Sequence, residues 1–314
     1  MNRFFKSIPM PIVGLILSFA ALGNLLLSYG EIYRTICYVI SGIIFIIATI
    51  KFISNLEGLK QDLSTPIGAS VFPTYSMGII LIGAYLKQYL PTSGFCVWII
   101  GILLHIVLII YFTLKFVRNF KLMQVFPSWF IVYVGIGVAA VTGKAFSQCI
   151  GQFAFIFALV CYVILLVIVS IRVFKVKQIP EPAMPTLIIY AAPGSLCLAG
   201  YLNSFDTKNM LLFWLLLMLS QAIYLIAILK LMKLLRLKFY PSYSAFTFPL
   251  IISAVALKLS TNFLIISKSI EHMPTLVKFL SIMVKIEEIV AVCIVFYVFI
   301  RYAIHIIRTF ASGK

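Results

Sequence analysis

Ten long apolar runs alternate with short polar segments along the whole chain. Each run approaches the roughly 20 residues that a helix needs to cross a bilayer, so the pattern predicts ten membrane-spanning helices. The polar segments are too short to fold on their own, and we therefore treat residues 1–314 as a single transmembrane domain of the all-α class. The predicted spans are 8–29, 32–53, 66–86, 94–117, 125–143, 148–172, 184–202, 209–233, 243–266 and 280–304.

Proline divides these spans into two kinds. All 13 prolines lie in odd-numbered spans or in loops, whereas the even-numbered spans are smooth apolar runs. A proline inside a helix removes a backbone hydrogen bond and kinks the chain, and irregular backbone at membrane depth is tolerated where protein or water surrounds it. The pattern therefore predicts five helical hairpins, with inner proline-kinked odd helices around a central pore and outer even helices.

The ninth span breaks two rules for a membrane helix. Pro249 lies inside its apolar run, and Lys258 places an ionisable group at membrane depth, where it should face protein or water. We interpret this span as lining the pore, with Phe248, beside the expected kink, best placed to occlude it. Phe246 could compete for that role, but the two side chains are roughly 200° apart around a helix and should not face the same way.

An acidic partner for Lys258 is expected on the tenth span. Glu287 and Glu288 lie at a depth similar to that of Lys258, because the tenth span runs in the opposite direction. An opposite charge at matched depth lowers the cost of burying either group. We predict that Lys258 pairs with Glu287 or Glu288. We favour a structural clasp between the two spans over an anion-attracting or coupling site.

Composition agrees with a membrane protein and limits its chemistry. The chain is 63% hydrophobic and 11% charged, with a mean hydropathy of +1.14, whereas soluble domains are roughly 25% charged. Its eight acids lie mostly in loops, and its three histidines and six cysteines are scattered. We therefore expect no enzymatic site, no metal site and no cofactor.

The formal net charge of +17 is unevenly divided between the two sides of the predicted bundle. Of the 25 basic residues, 17 fall at the termini and in the loops that follow even-numbered spans, and six fall on the other side. Because cytoplasmic loops carry the excess of lysine and arginine, both termini are expected in the cytoplasm of a multi-pass cell-membrane protein. The same rule accounts for the charge without nucleic acid and leaves the lipid bilayer and small inorganic or organic anions as partners.

Several motifs together resemble one family of membrane proteins. The ninth span reads Ser-Ala-Phe-Thr-Phe-Pro-Leu over 244–250 and Ser-Ala-Val-Ala over 253–256, up to Lys258. Weaker support comes from Pro11–Gly14 and from Pro127-Ser128-Trp129. The chain resembles, over essentially its whole length, the tellurite-resistance/dicarboxylate transporter family, which includes bacterial TehA proteins and plant guard-cell slow anion channels.

The resemblance implies a homotrimer in which each protomer has its own pore, with an anion as the permeant species. In the family a phenylalanine of the ninth helix plugs the pore and a glycine of the first helix lines it. The matching positions here look like Phe248 and Gly14. Together with the kink positions, the candidate pore-lining or kink residues are Gly14, Pro11, Phe72, Pro73, Phe126, Pro127, Pro193, Thr247 and Pro249.

Two functions remain open from the sequence. The first is a passive channel for small monovalent anions such as nitrate and chloride, because a hydroxyl-rich lining with few charges holds anions weakly enough to release them. Tellurite resistance could be incidental to such permeation. The alternative is a secondary transporter of C4-dicarboxylates or tellurite, and a count of five plus five spans fits the inverted repeats of many carriers as well.

Overall fold

The computed structural model describes residue 5 and residues 7–267 and 273–311, and all regular secondary structure in this part is helical. Ten helices among these described residues are long and apolar enough to cross a membrane, which confirms the prediction of an all-α membrane protein with ten spans. They are α1 Met10–Tyr29, α2 Glu31–Ser54, α3 Pro66–Leu86, α4 Pro91–Val117, α5 Trp129–Phe146, α6 Gln148–Val176, α7 Glu181–Ser204, α8 Met210–Leu234, α9 Pro241–Ile266 and α10 Pro274–Ala311.

The helices form two layers that differ in burial. In the most apolar stretch of each odd-numbered helix, 61% to 83% of the residues are buried, against 28% to 33% in the even-numbered helices. Contacts between α1 and α3, α3 and α5, α5 and α7, α7 and α9, and α9 and α1 close the odd helices into a ring. The odd helices are therefore an inner layer, and the even helices an outer layer with mainly apolar exposed side chains.

Three inner helices change helix type just ahead of a proline or beside it. α1, α7 and α9 begin as 3-10 helix, over Met10–Ile12, Glu181–Tyr190 and Pro241–Phe246. Pro193 and Pro249 are each the third residue of the α-helical part that follows. The first four N–H groups of an α-helix have no partner within it, so a proline at this position removes no α-helical hydrogen bond. These prolines therefore mark where the helix type changes.

The other two inner helices are interrupted. α3 is broken at Phe72-Pro73, between two α-helical parts. α5 is broken at Gly135-Ile136, where no proline is present, and Pro127 lies in the turn ahead of the helix. Glycine costs an α-helix conformational entropy and is a common cause of kinks, so the interruption of α5 has a different cause from that of α3.

The outer helices are regular except at one end of α4 and α6. These two finish as π-helix, over Thr113–Val117 and Ile171–Val176, whereas α2 and α8 are α-helical throughout. Arg172 lies in the π-helical end of α6, and its guanidinium donates to the carbonyl oxygens of Lys177 and Gln178, which follow the helix. Both of these residues have positive φ. These bonds turn the chain back over the end of α6, so smooth apolar sequence does not guarantee a regular helix end.

The first residues of the odd helices meet at one end of the bundle. There the Ser242 hydroxyl donates to the Pro182 carbonyl oxygen at 2.5 Å, and the hydroxyls of Ser70 and Ser128 lie 2.6 Å apart. We call this the basic end, because its loops hold the larger share of lysine and arginine, and we call the other the opposite end. The basic residues Arg3, Lys6, Lys268 and Lys314 lie outside the described residues.

Candidate functional site

A central cavity lies between the five inner helices. Its volume is about 60 Å³, which is room for a few water molecules. Apart from a few hydroxyls its wall is apolar, and none of the described residues that form it is charged. All five inner helices contribute, with Gly14 and Leu17 from α1, Val71 and Met77 from α3, Phe130 and Val134 from α5, Ala192 and Leu196 from α7, and Phe248 from α9.

Phe248 lines this cavity directly beside the change of helix type in α9. Its side chain is 8% exposed, and the next residue is Pro249, which also lines the cavity. Phe246 is fully buried away from the cavity, with its ring centre 4.8 Å from that of Tyr243. Among the described residues no aromatic ring stacks on Phe248. Its rotamer is therefore not held by a second ring, in contrast to that of Phe246.

α7 repeats this arrangement with a smaller side chain. Ala192 lies directly before Pro193, as Phe248 lies before Pro249, and all four residues line the cavity. Because both prolines are the third residue of an α-helical part, the two helices present equivalent positions to the cavity. The position that carries the Phe248 ring on α9 therefore carries only the methyl group of Ala192 on α7.

Gly14 allows α1 to approach α9 closely. A Cβ atom at this position would lie 2.9 Å from the Cβ of Ser244, well inside the optimal separation of roughly 3.5–4.0 Å between carbon atoms. One turn later the hydroxyls of Ser18 and Thr247 lie 2.6 Å apart, and Ser18 Oγ is also 2.7 Å from the Gly14 carbonyl oxygen. The contact between α1 and α9 is therefore tight next to Phe248.

Some of the sequence-selected residues lie outside the cavity wall. Phe72 packs against Phe52 and Tyr75, and the ring centre of Phe126 lies 5.9 Å from the Arg172 guanidinium carbon. Their part in kinking or packing the inner helices stays a prediction. Among the described residues, the cavity wall includes Pro11, Gly14, Pro193, Phe248 and Pro249, and does not include Phe72, Pro73, Phe126, Pro127 or Thr247.

The sequence did not single out Phe130, the second phenylalanine on the wall. Its ring centre lies 5.4 Å from that of Tyr190 on α7 and 6.2 Å from that of Tyr162 on α6, both edge to face. The preceding residue, Trp129, points toward the outer layer and meets Phe112 of α4 at 5.0 Å. Because both residues lie in one apolar run, hydropathy does not tell which of them faces inward. The rotation of α5 decides it.

Many hydroxyls of the inner helices join helices together instead of facing the cavity. Ser195 and Ser253 link α7 to α9 with their hydroxyl oxygens 3.0 Å apart, and Ser204 donates to the Ala140 carbonyl oxygen on α5 at 2.8 Å. The sequence predicted a pore lining rich in hydroxyl groups, whereas the cavity wall is apolar apart from a few hydroxyls. Buried hydroxyls require hydrogen-bond partners, and neighbouring helices supply them.

Lys258 belongs to a network at the opposite end of the bundle. Its Nζ donates to Glu288 Oε1 and to the Ser28 hydroxyl, each at 2.6 Å. The second carboxylate oxygen of Glu288 accepts from the Tyr29 hydroxyl at 2.5 Å, and Lys285 Nζ donates to the same hydroxyl at 2.8 Å. The network joins α1, α9 and α10 and shares no described residue with the central cavity wall.

Glu287, the neighbouring acid on α10, faces α8 instead. It is buried near Gln221 and Tyr224 of that helix, and among the described residues its Oε2 atom has no hydrogen-bond partner. Burying an ionised carboxylate without a cationic partner is costly, so membrane proteins that keep such a group often use it. Glu287 is therefore the clearest candidate for a coupling group, although it lies outside the cavity wall.

Comparison with known protein families gives a match over nearly the whole chain. The sequence model described as SLAC1, voltage-dependent anion channel, matches residues 7–303. This range includes the five inner helices and the cavity between them, so the match does not depend on a single motif. No curated protein matches the chain.

Proposed function

Because the chain belongs to the voltage-dependent anion channel family, and its function is therefore anion transport, we propose that it is a passive channel for small monovalent anions such as nitrate and chloride. In this proposal each protomer has its own pore, and Phe248 occludes it. The observation that carries the proposal is the position of Phe248 on the wall of a cavity to which all five inner helices contribute.

An apolar wall suits conduction better than tight binding. Permeant ions must be held weakly enough to leave, and hydrophobic constrictions can gate a pore by excluding water. The wall offers few groups that could replace an ion's hydration shell. Weakly hydrated anions such as nitrate should therefore pass more readily than strongly hydrated ones.

Gating in this proposal is a movement of the Phe248 ring. A gate requires two arrangements whose free energies lie within a few kcal/mol of each other. Phe248 fits this requirement better than Phe246, because Phe246 is fully buried and its ring packs at a tilt against that of Tyr243. Gly14 lines the same cavity as Phe248 and brings α1 against Ser244, one turn before Phe248 in α9.

The proposal includes an orientation and an assembly. The excess of lysine and arginine at the basic end favours a cell-membrane protein with both termini in the cytoplasm, where the basic rim raises the local concentration of anions in a salt-dependent way. A homotrimer is proposed from the resemblance to the TehA proteins and the plant slow anion channels.

The test is the current across planar bilayers that contain the purified chain, in nitrate and then in chloride. Phe248→Ala should raise the current roughly tenfold or more over wild type, since a barrier lower by about 1.4 kcal/mol gives that factor. Phe246→Ala is the matched control. It removes an identical ring two residues away and outside the cavity wall, and it should leave the current near the wild-type level.

Two results would contradict the proposed gate. One is an unchanged current from Phe248→Ala in bilayers whose protein retains its helical circular dichroism. The other is an equal rise in current for both alanine variants, because a general loosening of α9 would then explain the gain without a plug.

The alternative is a secondary transporter of C4-dicarboxylates or tellurite, and one observation favours it. Glu287 is a buried carboxyl group without a cationic partner among the described residues, and coupled carriers need a titratable group. If wild type and Phe248→Ala are both silent, uptake of radiolabelled dicarboxylate into vesicles should depend on a proton gradient. Glu287→Gln should then abolish that dependence.

A further inference from the structure

A second cavity, of about 150 Å³, lies outside the inner ring. It is bounded by α6 and α8 on its two sides and by α7 at its base. Its wall is mostly apolar, with Leu187 of α7 and Ile223 of α8 among its residues. Phe174 and Ile226 also line it, and their side chains are 57% and 55% exposed. In a membrane-spanning chain such exposed apolar residues face lipid. We call this cavity the α6–α8 groove.

The groove ends at a basic residue. Lys230 of α8 lines it and is exposed, and it lies one turn before the end of that helix, toward the basic end. Lys175 follows the lining residue Phe174 in sequence. No acidic residue is among the described residues that form the groove. Lysine side chains near the end of a span place their stems along apolar surface and their ammonium groups at the level of lipid headgroups.

Not every surface groove combines an apolar wall with an exposed lysine. The crevice between α2 and α10 is an example. At the opposite end that crevice is lined by Glu288, whose carboxylate is paired with Lys258, and by no basic residue among those described. Toward the basic end its described lining residues, such as Ile43 and Ile47, include no charged side chain. Both grooves are lined mainly by apolar side chains, but among the described residues only the α6–α8 groove of the two adds an exposed cation, Lys230.

Aromatic rings connect the α6–α8 groove to the central cavity. The ring centre of Phe174 lies 6.2 Å from that of Tyr190, which also lines the groove. Tyr190 in turn meets Phe130 edge to face, at 5.4 Å, and Phe130 lines the central cavity. Tyr190 is also the last residue of the 3-10 part of α7, so it lies where that helix changes type.

We propose that the α6–α8 groove binds an anionic phospholipid, with one acyl chain between α6 and α8 and the phosphate at Lys230, and that the bound lipid holds Tyr190 against Phe130. Basic pockets between membrane helices at the cytoplasmic side are typical sites for anionic headgroups. The bound chain limits the movement of Tyr190, so occupancy of the groove changes the pore wall from outside the ring. The binding step stands without the proposed function, whereas the effect on current rests on it.

Native mass spectrometry of the full chain in detergent tests the binding step, with phosphatidylglycerol and phosphatidylcholine of equal chain length as probes. Wild type should bind phosphatidylglycerol the more tightly. Lys230→Gln should weaken that binding about fivefold, the ratio expected for one basic side chain beside an anionic headgroup. Lys233→Gln is the matched control, since it removes the same charge three residues later at a position that does not line the groove. It should bind as wild type does.

Three results would overturn the proposal. The first is equal affinity of wild type for both lipids. The second is an equal loss in Lys230→Gln and Lys233→Gln, which would indicate a diffuse basic surface. The third is an efficient disulfide between copies of an Ile226→Cys variant that lacks the native cysteines, because a second copy of the chain would then occupy the groove.

The current test uses the Phe248→Ala variant in vesicles of phosphatidylcholine alone or with a quarter phosphatidylglycerol. Current should differ between the two membranes, and adding Tyr190→Ala should remove that difference while lipid binding persists. Lipid-independent currents would overturn the connection through Tyr190. Complete silence of Phe248→Ala would contradict the proposed function, and the binding result would still decide whether the groove is a lipid site.

Discussion

Inner α9 and outer α2 are apolar helices of similar length, with 26 and 24 residues, but they are packed in different ways. In the most apolar stretch 61% of α9 is buried, against 33% of α2. α9 begins as 3-10 helix and contains two prolines, Pro241 and Pro249, and its hydroxyls reach α1 and α7. α2 is a single α-helix without proline. Burial in this bundle therefore follows proline and small polar residues more closely than apolar content.

Glycine shows the same difference at the level of single atoms. A Cβ added at Gly14 of α1 would meet Ser244 at 2.9 Å, whereas a Cβ added at Gly42 of α2 would meet no atom within 4 Å from the described residues beyond its own stretch of helix. The inner layer uses the absence of a side chain to bring helices together, and the outer layer has no such need at Gly42. The two layers should consequently respond to the same substitution in different ways.

The largest effect on stability is expected from the ion pair between inner α9 and outer α10. Lys258→Met leaves the carboxylate of Glu288 buried, with the Tyr29 hydroxyl as its one remaining donor among the described residues. Breaking a buried pair in this way should lower the free energy of unfolding by about 3 kcal/mol. Titration with SDS in mixed micelles, followed by circular dichroism, measures it. Adding Glu288→Gln should recover part of the loss. If the double variant is less stable than the single one, the pair is not the cause.

The second largest effect on stability comes from replacing Gly14 or Gly42 by alanine, and it should differ in direction between the two sites. Gly14→Ala should destabilise the protein by about 2 kcal/mol, because overpacking forces α1 away from α9, and it should also change the current. Gly42→Ala should be neutral or stabilise by up to about 1 kcal/mol, because alanine is the better helix former. The same SDS titration compares them. Equal destabilisation by both would mean that the layers do not differ in packing.

A smaller effect is expected from the hydroxyl contact beside Phe248. Thr247→Val keeps the side-chain shape but removes the partner of Ser18 across α1 and α9, so the protein should lose about 1 kcal/mol of stability. A double-mutant cycle with Ser18→Ala isolates the coupling between the two hydroxyls. A coupling energy near zero would show that each hydroxyl is satisfied within its own helix.

The smallest effect on stability is expected from an ion pair that lies within one outer helix. Arg34 and Glu31 of α2 approach to 3.5 Å, with the Glu31 side chain 60% exposed. Exposed pairs contribute little, so Glu31→Gln should change the free energy of unfolding by less than about 0.5 kcal/mol. A loss as large as that of Lys258→Met would remove the distinction between the two kinds of charge pair.

Much of the fold was predictable because the bilayer imposes a strong one-dimensional pattern. Ten apolar runs gave ten helices, and their predicted bounds differ from the observed ones mainly at the ends. α10 is the largest departure, since it begins at Pro274 and extends to Ala311, beyond the predicted 280–304. Polar residues near the surface can continue a helix outside the membrane, and hydropathy does not mark where that helix stops.

The cavity wall was predictable only in part. Phe248 was selected because it lies beside Pro249 and also matches the pore-plugging phenylalanine of the family that the chain resembles. The Phe-Pro pair alone is not enough, since Phe72 and Phe126 also precede a proline and lie outside the wall. Phe130 carried no such signal, and its place on the wall follows from the rotation of α5 against α3 and α7. The hydroxyl of Ser195 likewise could have faced the cavity or Ser253, and only the packing of α7 on α9 decides between them.

The sequence by itself therefore determined the number of spans, the all-α class and the unequal division of charge, because each depends on a composition that water and lipid sort without reference to other helices. Only the tertiary structure decided which apolar side chains surround the cavity, that Lys258 meets Glu288 rather than Glu287, and that Glu287 turns to α8. The physical reason is that lipid distinguishes polar from apolar residues, whereas the direction that each side chain faces is set by close packing between neighbouring helices.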